Sequence, residues 1–388
     1  MNPSKHHMAC VVALAAASIV SAGAFAAEPI RIGVAVGLSG ANSVVAPAVV
    51  QSSQLAVEEI NAGGGILGRK VELDIADDAS GAVGAQKAYD TLVFQKSVDA
   101  VISMETSAAR NAALPVIARG RKPFIYTSFY EGRSCSPWMY VNGWVPDQQV
   151  APVVDYFMNT KGAKNFFLVG NDYAFGRGML DFTAKYIGLH GGKVIGEEFL
   201  PIDGTDWTPI LSKIRAAHPD ALISATAGGA PNVSLAKQLK GSGLTLPYGN
   251  LAIDEGTAKS MGDVAAGMYM SGSYLTGIDT PGNEKFMAAL HRRFGNDTKT
   301  PNELSEPQYE AFWLYKAAVE KAGSTDPAKV VAALGEVSFD GPRGRVGMSR
   351  SRHTPLAMRL GQIQPDGSVK ILQTFPNVDP QEQCPNLR

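Results

Sequence analysis

Glu58-Glu59-Ile60-Asn61-Ala62-Gly63-Gly64-Gly65-Ile66-Leu67-Gly68-Arg69-Lys70-Val71-Glu72-Leu73 joins a helical pattern to a strand pattern through four glycines. Glycine reaches φ > 0 without a Cβ penalty, so a chain can leave a helix here and turn sharply into a strand. Outward from this turn the same unit repeats. A β-branched run over 30–36 precedes an amphipathic stretch over 50–61, and strands over 71–75, 100–103 and 123–126 alternate with helices over 84–95 and 107–118. Strands so short and apolar belong in a parallel sheet covered on both faces.

A second run of this kind follows the turn-rich Trp144-Val145-Pro146-Asp147. Helices are expected over 148–159, 176–190, 208–217 and 232–241, with strands over 165–170, 193–199, 221–225 and 248–251. Helices over 283–294, 306–322 and 327–334 have no strands between them and should pack back onto a lobe already built, and strands over 356–362 and 369–373 finish the chain. The pattern predicts an α/β protein of two doubly wound parallel-sheet lobes.

The 388 residues exceed the ~100 to 200 typical of one domain. A composition of 45% hydrophobic and 18% charged residues is that of a globular chain, and a net charge of -1 lacks the basic footprint of a nucleic-acid binder. Lys5, His6 and His7 precede an apolar run from Met8 to about Val20 and then Ala24-Phe25-Ala26. This reads as a secretory signal peptide over 1–26, removed to leave Ala27 or Glu28 first. The run is shorter than the ~20 residues that span a bilayer, and Cys10 stands at its start, the wrong place for a lipid anchor. A free periplasmic protein is therefore expected. Of three cysteines, Cys135 and Cys384 remain after processing. An oxidising compartment favours their pairing as a disulfide; the other reading is two unrelated thiols.

The string over 58–73 resembles the branched-chain amino-acid and urea/amide-binding group of periplasmic binding proteins. Tyr130-Glu131-Gly132, Pro146-Asp147-Gln148-Gln149, Phe166-Phe167-Leu168-Val169-Gly170-Asn171-Asp172-Tyr173, Gly196-Glu197-Glu198, Ile278-Asp279-Thr280-Pro281 and Ala318-Val319-Glu320-Lys321-Ala322-Gly323 agree with it. The resemblance implies two lobes joined by a three-segment hinge near 142–147, 273–278 and 340–346, with residues 27–143 and 277–341 in one lobe, 144–276 and 342–374 in the other, and a tail over 375–388. It also implies a monomeric receptor of an ABC importer, whose partners are a membrane permease and a small ligand: a branched-chain or other amino acid, urea or a short amide. No cofactor and no metal are expected.

Open α/β sheets bind ligands beyond the carboxyl ends of their strands. Glu105-Thr106-Ser107 follows such a strand at the mouth of a helix, where hydroxyls and free N–H groups suit a carboxylate or a carbonyl; the plainer reading is a helix N-cap. By the resemblance, Tyr126 and Ser128 hold ligand-contacting positions; the plainer reading is a buried tyrosine and a turn serine. Tyr173 and Phe175 follow the strand ending at Gly170 and should close over the ligand from the second lobe as an aromatic lid. Relatives often carry tyrosine where Phe175 stands and a neutral residue where Glu105 stands. Asp254 or Glu255 offers a carboxylate for a ligand ammonium, or is a solvated pair at a helix start.

Two other functions fit the sequence less well. Gly33-Val34-Ala35-Val36-Gly37-Leu38-Ser39-Gly40 follows the logic of an NAD(P) site, but its spacing is GxxxGxxG, and Asp77 lies far beyond the ~20 residues at which an acid meets the ribose. No Gly-x-Ser-x-Gly elbow, HExxH helix or Cys-x-x-Cys pair supports a hydrolase or a metal centre. A ligand-sensing regulator of the same fold, responding to amides or aromatic acids, is opposed by the signal segment.

Overall fold

The computed structural model describes Met1 and residues 27–79 and 81–387. The signal segment expected over 1–26 lies, but for Met1, outside the described residues. The chain opens with β1 (Ile30–Val36), a 3-10 turn (Ala41–Val44), α1 (Ala46–Ala62), β2 (Val71–Asp77), α2 (Ala82–Asp90), β3 (Ala100–Ser103), α3 (Ser107–Gly120), β4 (Phe124–Tyr126) and β5 (Met139–Val141). These strands form one parallel sheet in the order β2-β1-β3-β4-β5.

The glycine turn is built as its composition requires. Gly64, Gly65 and Gly68 have φ of 97°, 79° and 75°, and a Cβ on Gly65 would stand 2.0 Å from the Arg69 carbonyl oxygen. Asn61, at the end of α1, clamps the next strand in both directions: its Nδ2 donates to the Val71 carbonyl at 2.9 Å, and the Val71 N–H donates to its Oδ1 at 2.7 Å.

The second run supplies α4 (Pro146–Asn159), β6 (Asn165–Asn171), α5 (Ala174–Leu189), β7 (Lys193–Leu200), α6 (Thr208–Ala217), β8 (Ala221–Ala225), α7 (Ala230–Ser242), β9 (Tyr248–Asn250), α8 (Glu255–Met261) and β10 (Tyr269–Gly272). Then come α9 (Pro281–Phe294), α10 (Ser305–Ala322), α11 (Pro327–Leu334), the hairpin of β11 (Ser338–Gly341) and β12 (Gly344–Gly347), and finally β13 (Leu356–Ile363) and β14 (Val369–Val378). The second sheet has the order β14-β13-β10-β9-β8-β6-β7. Its β13 and β14 are antiparallel, so the all-parallel expectation fails at this edge. β5, β10 and the hairpin are further elements beyond those expected from the sequence, and α8 begins at the helix start that is one reading of Asp254 and Glu255. Helices α9 and α10 pack against α1, on the first lobe.

The chain thus passes between the lobes three times: from β5 into α4, from β10 toward α9, and from β12 into β13. Arg343, buried in the hairpin turn, ties these passages together. Its Nη2 donates to the carbonyl and Oδ1 of Asn142, both at 2.8 Å, its Nη1 to Ser273 Oγ at 2.6 Å and its Nε to Glu310 Oε2 at 2.8 Å. Glu306 Oε2 lies 3.4 Å from the same Nε. Burial and the Glu310 charge push the Glu306 pKa well above the carboxylate range.

Cys135 and Cys384 form a disulfide, with Cα atoms 5.7 Å apart. It joins the loop between β4 and β5 to the tail beyond β14. Gln383 adds to the anchor, accepting from the Arg133 N–H at 3.0 Å and donating to Asp147 Oδ2 at 3.1 Å.

Candidate functional site

In both sheets the strand order reverses beside the first strand, between β1 and β3 and between β6 and β8. Such switch points open a crevice at the carboxyl ends of the strands, and here the two crevices face one another. The cavity between them is lined from the first lobe by Asn42 after β1, Met104 to Ser107 after β3, and Tyr126, Ser128 and Phe129 at the end of β4. The second lobe adds Tyr173 and Phe175 after β6 and Thr226 and Gly228 after β8, and Leu304 adds to the wall at the start of α10. The cavity holds about 30 Å³, against ~300–1,000 Å³ for small-molecule sites. The lobes are shut over it, so a ligand of ordinary size enters only when they part.

Seven of the eight residues picked from the sequence meet on this cavity: Glu105, Thr106, Ser107, Tyr126, Ser128, Tyr173 and Phe175. Asp254 does not join them. It is buried as the N-cap of α8, where its carboxylate accepts from the N–H and hydroxyl of Thr257. Glu255 is buried too, holding the N–H and hydroxyl of Thr276; the pair is not solvated. Asn42, Met104, Phe129, Thr226, Gly228 and Leu304 were not picked. Position after β1 and β8, beside the switch points, was the available signal for Asn42, Thr226 and Gly228; Leu304 comes from a distant helix and had none.

Helix α3 begins at the cavity. Thr106 Oγ1 caps it by accepting the Ala109 N–H at 3.2 Å, and the first N–H groups, of Ser107 and Ala108, have no acceptor within the helix. Together with the helix dipole they favour an anion at this mouth. Behind it, the Ser107 hydroxyl donates to Glu131 Oε2 at 2.5 Å, and Arg110 Nη2 donates to Glu131 Oε1 at 2.6 Å. The Arg110 guanidinium, 1% exposed, lies 4.5 Å over the Tyr130 ring and 5.2 Å over the Tyr126 ring.

Glu105 turns its carboxyl away into the lobe, where Tyr89 donates to Oε1 at 2.6 Å. Burial, then the neighbouring Asp78 carboxyl, holds its pKa well above the carboxylate range. Tyr126 donates to the Glu105 carbonyl at 2.9 Å. Aromatic faces complete the walls: Phe129 stacks on Trp144 at 5.2 Å, and Phe175 reaches Phe129 from the other lobe at 5.6 Å.

The profile of the periplasmic binding protein family matches residues 29–368. The chain belongs to that family. It is similar to "Leu/Ile/Val-binding protein homolog 6" of Brucella melitensis, with 25% identity over 317 residues that cover 77% of this chain and 79% of the relative. It is also similar to "Amino acid binding protein" of Pseudomonas aeruginosa, with 27% identity over 330 residues, 84% of this chain and 87% of the other. A solute-binding protein of an ABC transporter from R. palustris, solved with benzoate, shares the fold at a TM-score of 0.82 and 19% identity, over 92% of this chain and 99% of that one. Another from R. palustris, solved with 4-hydroxybenzoate, superposes at 0.83 with 21% identity over 91% and 98%.

As a periplasmic binding protein this chain is a solute-binding protein rather than an enzyme. Family members bind small molecules and work with ABC transporter permeases, and the family implies a periplasmic location. Among the described residues no helix is long and apolar enough to cross a membrane, and no cluster of side chains could hold a metal ion.

Proposed function

We propose that this periplasmic binding protein is the monomeric, exported receptor of an ABC importer for a small carboxylic acid with a flat apolar body, of the size of benzoate, captured in the cavity between β3–α3 and β6–α5. One observation carries the ligand class. The second-lobe wall of Tyr173, Phe175, Thr226 and Gly228 has no carboxylate, and Asp254 is committed to Thr257. An α-amino acid buried here would leave its ammonium without a counter-charge, a desolvation that costs several kcal/mol per ion. A monocarboxylate places its charge at the α3 mouth and its body among Met104, Phe129, Phe175 and Leu304. Glu105, keeping its proton well above the usual range, does not repel it. The R. palustris proteins of the same fold, solved with benzoate and 4-hydroxybenzoate, support this reading.

The names of the Brucella and Pseudomonas relatives favour a second reading, a branched-chain or other amino acid. Thermal unfolding with benzoate, 4-hydroxybenzoate, leucine, urea and acetamide separates the two. At 100 times its Kd a ligand stabilises by ~2.7 kcal/mol, a readily seen shift. The aromatic acids should give it, and Phe175→Ala should reduce it. A shift with leucine and none with either aromatic acid overturns the proposal.

A further inference from the structure

Lobe 2 meets lobe 1 through glycines on two sides of the cavity. In α5, one turn beyond Phe175, a Cβ placed on Gly178 would stand 2.6 Å from Glu131 Cβ and 2.9 Å from its Cγ. Before α7, a Cβ on Gly229 would stand 2.5 Å from the Ala41 carbonyl oxygen. Neither approach leaves room for a methyl group. Glu131 is no idle neighbour: its carboxylate receives both the Ser107 hydroxyl at the α3 mouth and the buried Arg110. The same side chain therefore touches the ligand-binding helix with its oxygens and the opposite lobe with its stem.

We propose that Gly178 and Glu131 are positioning residues for ligand capture: the missing Cβ of Gly178 lets α5 close onto Glu131, which thereby holds Ser107 and the α3 mouth in their ligand-ready arrangement. The Glu131 stem is fixed at its far end by the Arg110 pair, so it cannot swing aside to admit a larger residue. The shut state is then the state in which Ser107 is oriented, and a ligand at the α3 mouth is favoured by closure and favours it in turn. The proposal rests on the cavity being the ligand site; it does not depend on which ligand is bound.

Alanine scanning within α5 tests it. Gly178→Ala raises helix propensity, so the fold should survive while closure is wedged. Gly188→Ala, on the same helix with nothing near its Cβ, makes the same chemical change away from the contact. Val83→Cys and Leu189→Cys, exposed on different lobes, carry spin labels that report the distance between lobes in protein starting at Ala27, where Cys135 and Cys384 are paired. In the ligand-free protein Gly178→Ala should move the distance distribution to longer values, and Gly188→Ala should leave it unchanged. With benzoate as probe, the apparent Kd of Gly178→Ala should rise about in proportion to the lost closed fraction, about tenfold for a tenfold loss. A wild-type distance distribution in Gly178→Ala overturns the proposal. If benzoate fails to bind even the wild type, the ligand class is wrong, and the ligand-free distances alone still decide this one.

Discussion

Ser128 and Glu105 hold each other in both directions: the Glu105 N–H donates to Ser128 Oγ, and Ser128 Oγ donates back to the Glu105 carbonyl, each at 3.0 Å. The Ser128 hydroxyl is thus engaged with the loop that opens α3, and its primary task is to fix that loop rather than to reach outward.

Ser128→Ala accordingly leaves a buried N–H and weakens a buried carbonyl's bonding. It should cost about 1–3 kcal/mol of stability and loosen ligand binding along with it, seen as a lower urea midpoint and a weaker calorimetric Kd. Unchanged stability with weakened binding would point instead to a direct contact with the ligand.

His353 should give the protein an acid limit. Its ring is buried, with Nε2 2.7 Å from the Tyr130 hydroxyl, and burial lowers its pKa from 6.5 to about 4. Between these values the unfolded chain takes up a proton that the folded one refuses. This stability is complete above about pH 6.5 and drains as pH falls toward 4, by about 3 kcal/mol in all. In His353→Gln the loss between pH 7 and 4.5, followed by urea unfolding, should be smaller by roughly that amount.

Glu306 works with the opposite sign. Its folded pKa is raised, so folding above about pH 4.5 must take up a proton or bury a charge, and the penalty grows as pH rises, by up to about 1.4 kcal/mol per unit until the folded pKa is passed. Glu306→Gln removes it. Thermal midpoints should show the variant gaining on the wild type from pH 5 to pH 8; a constant difference would mean that the carboxyl does not titrate with folding.

Replacing Cys135 and Cys384 together by serine should lower stability by about 2–5 kcal/mol and release the tail to proteolysis. Intact-mass spectrometry of the unreduced wild type should show a mass two hydrogen atoms below that of the thiol form.

The fold was legible where apolar runs alternate regularly with helical ones: β1, β3, β8, α6 and α11 lie where hydrophobic patterning put them. It was illegible where that alternation weakens: no helix separates β4 from β5, and only the seven-residue α8 and a 3-10 turn precede β10. α1 begins at Ala46, four residues before the expected start at 50, with Pro47 in its first turn, where a missing N–H costs nothing. Pro376 falls inside β14, an edge strand that needs no donor on its open side, so the strand runs on to Val378. The site was readable at the ends of β3, β4 and β6 because hydroxyl and aromatic residues follow those strands. Asp254 reads two ways because a capping carboxylate and a ligand-binding one look alike in sequence; the bonds that it accepts from the Thr257 N–H and hydroxyl decide for the cap.

The disulfide has a topological consequence. Cys135 and Cys384 lie 249 residues apart, and all three passages between the lobes fall within that interval, so the chain is a closed covalent loop bearing a branch that holds β1 to β4. A protease that severs any single passage leaves one covalent species, with both halves tethered. Such a nick is invisible to an unreduced mass measurement apart from the added water, and two fragments appear only once the cystine is opened.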